Sequence, residues 1–61
     1  MAIDYDVYQG DKLVAIKGSK VEAVRRAKSG AKKTGETHEV WEAHSKNALI
    51  HARVLVHTES P

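Results

Sequence analysis

Four histidines, His38, His44, His51 and His57, accompany Glu42 in the C-terminal part of the chain. Imidazole nitrogens and carboxylates are the donor types that hold zinc, and a strand period of two puts these side chains on one outward face, with Glu42 across from His51 and His44 diagonal to it. Zinc asks for three or four ligands at about 2.0–2.2 Å, whereas diagonal strand neighbours sit roughly 7–8 Å apart at Cα. No recognised ligand spacing is present, so a solvated histidine and glutamate surface is expected, with no metal and no cofactor. Ser45 beside His44 is no nucleophile and base, because neighbours on a strand point to opposite faces. Lys17-Gly18-Ser19-Lys20 opens a helix whose free amides attract phosphate, but the glycine-rich loop of a nucleotide site is missing and helix capping accounts for Ser19. No enzyme and no catalytic residue is expected.

Binding chemistry has more material. From Lys17 to Lys33 seven basic residues face one acid, Glu22, so this run carries six positive charges and the rest of a chain of net charge +2 carries four negative ones. Arg25, Arg26, Lys28, Lys32 and Lys33 form a candidate nucleic-acid surface that would neutralise phosphates with little base specificity, since asparagine and glutamine readers and aromatic platforms are scarce.

Elements must position these residues. The chain has 61 residues and no cysteine; folding at this size removes only about 60% of the surface from water, and no disulfide can help. A single domain spanning 1–61 is expected, with a short frayed tail near 58–61. No apolar run approaches the roughly 18–20 residues of a membrane span, and the start lacks the form of a secretion signal, so a cytoplasmic protein is expected. Alternation predicts strands over Ile3–Gln9 and Lys12–Lys17 about a Gly10-Asp11 turn, with Val7 facing Val14 and Tyr5 facing Ile16. Ser19 and Glu22 form a capping box that starts a helix at Lys20. Its apolar arc comprises Val21, Ala23, Val24, Ala27 and Ala31, and Gly30 threatens to stop it before Gly35. A second hairpin turns at Ser45-Lys46-Asn47. Its preferred register pairs Ala43 with Ile50 and sends Trp41 inward opposite Ala52; a one-residue slip sends Val40 inward instead.

The resulting plan is α+β: ββαββ, a four-stranded antiparallel sheet with one amphipathic basic helix on one face. In the residues KVEAVRRAKSGAKKTGETHEVW the chain resembles a family of short bacterial and phage-encoded proteins of unknown function, built from a strand pair, an alanine-rich basic helix ending in glycine and a valine-rich strand. In architecture alone it is also similar to small phage proteins that bind and inhibit a host enzyme. These resemblances imply a phage-like inhibitor or interaction protein and assign no functional residue.

A helix on one face leaves the other open, where Tyr8, Leu13, Val40, Leu49, His51, Arg53 and Leu55 are expected. A small domain gains from covering such a face, so protein–protein interaction, including a homodimer, is the primary expectation, with nucleic-acid binding by the helix as the alternative. No membrane partner is expected.

Overall fold

A computed structural model describes residues 3–43 and 53–61. Strand β1 (Asp4–Gln9) and strand β2 (Lys12–Lys17) are followed by helix α1 (Lys20–Thr34), strand β3 (His38–Ala43) and strand β4 (Arg53–Glu59). The four strands form one antiparallel sheet in the order β2-β1-β3-β4, and α1 packs over one face, touching every strand. The ββαββ plan is thus the observed one. β4 reaches Glu59, pairing Thr58 with Glu39 and Glu59 with His38, so two residues of the expected frayed tail are strand.

Local chemistry explains each element. Gly10 has φ 61° while Asp11, like every described non-glycine residue, avoids positive φ. That combination suits a II′ turn, whose twist matches the flanking strands. Ser19 caps α1, its Oγ accepting the Glu22 amide at 3.3 Å. The helix then runs through Gly30 and ends at Gly35, whose left-handed backbone (φ 74°) lets its N–H donate to the Ala31 carbonyl at 2.9 Å.

Gly30 does not stop the helix because it is needed within it. His38 is 1% exposed and its ring lies against Gly30; a Cβ there would fall 2.8 Å from His38 Cδ2. His38 Nδ1 donates to the Glu36 carbonyl at 2.9 Å, which fixes the ring in that groove.

The core is built from small residues. Val7, Ala23, Ala27 and Val40 are fully buried, with Tyr5, Val14, Ala15, Val24 and Val56 packed around them. Tyr5 donates its hydroxyl to Glu42 at 3.2 Å, and its pKa is raised first by desolvation and then by that carboxylate. Val21, expected on the buried arc, stands 66% exposed in the first turn.

Two bulges reset the expected registers. In the first hairpin Gln9 pairs with Lys12 and Tyr8 with Leu13 as expected, but then Val7 meets Ala15, Asp6 meets Ile16 and Tyr5 meets Lys17. The extra residue is Val14, and the shift turns Ile16 to the outer face. Between β3 and β4, Trp41 pairs with Leu55 and Val40 with His57, leaving Val56 as the extra residue. The bulges flank the Val7–Val40 pair at the sheet centre, so each edge strand turns an additional valine toward the helix.

Candidate protein-binding face

The open face follows from the pairings. Val7 and Val40 point to the helix, so their neighbours Asp6, Tyr8, Glu39 and Trp41 point away from it. The preferred sequence register is therefore corrected. Val40 is 0% exposed and belongs to the core, while Trp41 takes the outer position expected for Val40. The alanine face of α1 does not leave a space for an indole. It lets the helix approach the sheet, and valines, Ala15, Tyr5 and the His38 ring over Gly30 fill the space between.

Trp41 instead builds the centre of the open face. Arg53, at the start of β4 opposite Ala43, lays its guanidinium 4.9 Å from the Trp41 ring centroid and 5.2 Å from that of Tyr8. Its Nη1 donates to the Tyr8 hydroxyl at 2.9 Å, and Trp41 Nε1 donates to Glu39 Oε1 at 3.1 Å. Three strands thereby fix one stack, and the cation–π contacts and hydrogen bonds hold it in a single geometry. Leu13 and Leu55, 44% and 43% exposed, and Ile16, 58% exposed, lie around it.

Of the expected open-face residues, the structure thus brings together Tyr8, Leu13, Arg53 and Leu55; it removes Val40; Leu49 and His51 lie outside the described residues. Trp41 and Ile16 belong to the face and were not expected there. The signal that could have found Trp41 was the small buried face of the helix, Ala23, Ala27 and Ala31, which brings helix and sheet too close for an indole.

Neither of the two described histidines lies on this face. His38 is buried under α1, and the Val56 bulge turns His57 to the helix side, where its Nε2 lies 2.7 Å from Glu59 Oε1. Glu42 also faces inward, beside Tyr5, and His44 lies outside the described residues. Among the described residues no group of three histidine, aspartate or glutamate side chains is placed to hold a metal ion.

No protein-family model, curated protein or solved structure matches this chain. Geometry and charge alone therefore carry the functional reading. On the other side of the molecule Arg25, Lys28, Lys32 and Lys33 are exposed as the helix wheel requires, but Arg26 is half-buried, its Nη1 lying over Gly30 near the His38 ring. Arg25, Arg26, Lys17, Glu22 and Ser29 line a shallow cleft of about 320 Å³. Among the described residues no helix is long and apolar enough to cross a membrane.

Proposed function

We propose that the protein is a non-catalytic binding module that engages another protein through its open sheet face, in the manner of a small inhibitor or adaptor. The observation that carries this reading is the Tyr8–Arg53–Trp41 stack. Tryptophan, tyrosine and arginine are the residue types that dominate binding energy at protein interfaces, and they act best when centrally placed and held rigid before contact. Here they sit among exposed Leu13, Ile16 and Leu55, the arrangement of an apolar centre that a partner would desolvate.

The exposed Arg25, Lys28, Lys32 and Lys33 favour a second reading, weakly specific nucleic-acid binding by the helix. One comparison separates the two. A random displayed peptide library is selected on the parent and counter-selected on a Leu13→Lys, Leu55→Lys variant; in parallel, random duplex DNA and single-stranded RNA are tested by gel shift with the parent and with Arg25, Arg26, Lys32 and Lys33 replaced by glutamine. The expected result is peptides released by the lysine variant and nucleic-acid affinity that is weak and unchanged by glutamine. Tight, salt-sensitive nucleic-acid binding lost in the glutamine variant, with peptides held equally by parent and lysine variant, would overturn the proposal.

A further inference from the structure

The open face is rimmed by negative charge. Asp4 and Asp6 project from β1 on the same side as Tyr8, Glu39 stands across from Tyr8 on β3, and Asp11 occupies the turn beside Gly10. Lys12 and Lys17 of β2 pair with Gln9 and Tyr5, whose side chains belong to the helix side, so neither offsets this charge. Arg53 alone among the described basic residues lies on the face, and both its ring contacts and its Tyr8 hydrogen bond are internal. The carboxyl of Asp6 is pushed above the usual range, first by desolvation and then by Asp4, with Arg53 only opposing. All the clustered positive charge lies on α1, across the molecule.

Space for a ligand adjoins the stack. A cleft of about 300 Å³ is lined by Tyr8, Gly10, Asp11, Glu39, Trp41 and Arg53. A second, of about 270 Å³, shares Gly10, Asp11 and Glu39 and extends to Thr37. Gly10 brings no side chain to fill either one.

From this we infer that the partner's contact surface is basic, and that an arginine or lysine of that partner enters the cleft between Asp11 and Glu39, beside the rings of Tyr8 and Trp41. The inference rests on the open face being the binding face. Two carboxylates at the cleft outweigh the single charge of Arg53 and supply the counter-charge, aromatic rings cover the apolar stem of the entering side chain, and Leu13 and Leu55 take apolar neighbours on the partner. A second copy docking sheet to sheet would oppose carboxylate to carboxylate, and a phosphate backbone would meet the same repulsion.

The chain's single tryptophan, Trp41, reports directly on the cleft by its fluorescence. Capped hexapeptides of alternating arginine and leucine, and of alternating glutamate and leucine, serve as probes. The arginine peptide is expected to bind about tenfold tighter at low salt, with the margin shrinking as salt rises. Asp11→Asn with Glu39→Gln is expected to remove most of that margin; the glutamine keeps an acceptor for Trp41 Nε1, and circular dichroism checks the fold. Equal affinity for the two peptides, or binding of neither, overturns the inference. If both peptides bind equally and Leu55→Lys releases both, the open face still stands as the binding face; if Leu55→Lys releases neither, that reading falls as well.

Discussion

His38 and Gly30 show how one side-chain contact reverses an intrinsic preference. In a helix interior glycine costs about 1 kcal/mol relative to alanine, so Gly30→Ala considered alone should stabilise. Here the added methyl would collide with the buried His38 ring, and Gly30→Ala is expected to lower the urea midpoint. In a His38→Ala background the same change should raise it, a reversal that a simple loss of helix would not produce. Asp6 gives a second test. Its folded-state carboxyl is raised, chiefly by desolvation, so the folded chain holds that proton more tightly than the unfolded chain, and stability from this group falls as pH rises through the raised value. Asp6→Asn is therefore expected to raise Tm near neutral pH, by the modest amount proper to a partly exposed group, and the gain should vanish in acid below the ordinary aspartate range of about pH 4. The contact between Gly30 and His38 was not legible in the sequence, where Gly30 reads as a weak point and His38 as an outward strand residue. Only the approach of helix to sheet joins them.

Elements were far more legible than their registers. The turn glycine, the capping box and the alanine spacing are local signals; strands β1 and β2 begin and end, and helix α1 begins, within a residue of where those signals put them, while the helix runs past the expected weak point at Gly30 to its Gly35 stop. Bulges leave no such mark. Val14 and Val56 continue the alternation of ordinary strand residues, yet each adds a position that flips everything beyond it, as Ile16 and His57 record. The helix orientation is testable at this scale. Ala27 is fully buried and Lys33 is exposed in the last turn. Ala27→Asp would bury an unpaired charge and is expected to cost about 3 kcal/mol or more, sufficient to unfold a domain this small. Lys33→Asp replaces a favourable charge with an unfavourable one at the exposed helix C-terminus, a cost of about 1 kcal/mol, and thermal melts of the two variants should differ accordingly.

At the scale of the molecule, charge and shape divide into two sides: a cationic helix surface of lysine and arginine heads, and an anionic sheet surface with aromatic residues at its centre. The sequence showed the uneven charge but not that the acids would surround Trp41, because that depends on which face each strand presents. The strand order has a separate consequence for how the chain is made. β1, although first in sequence, is an interior strand whose second neighbour is β3, and its central residue Val7 completes its packing only against Val40. A nascent chain released as far as α1 has its turn and its helix, which form locally, but holds β1 with one edge unpaired and lacks Val40 and Val56 from its core. A fragment ending at Gly35 is expected to show no cooperative thermal transition by circular dichroism, whereas the full chain melts as a unit. Folding on the ribosome must then wait until β3 and β4 have cleared the exit tunnel, and the closing of the β1–β3 and β3–β4 ladders, rather than the early hairpin, sets the time at which a finished molecule first exists.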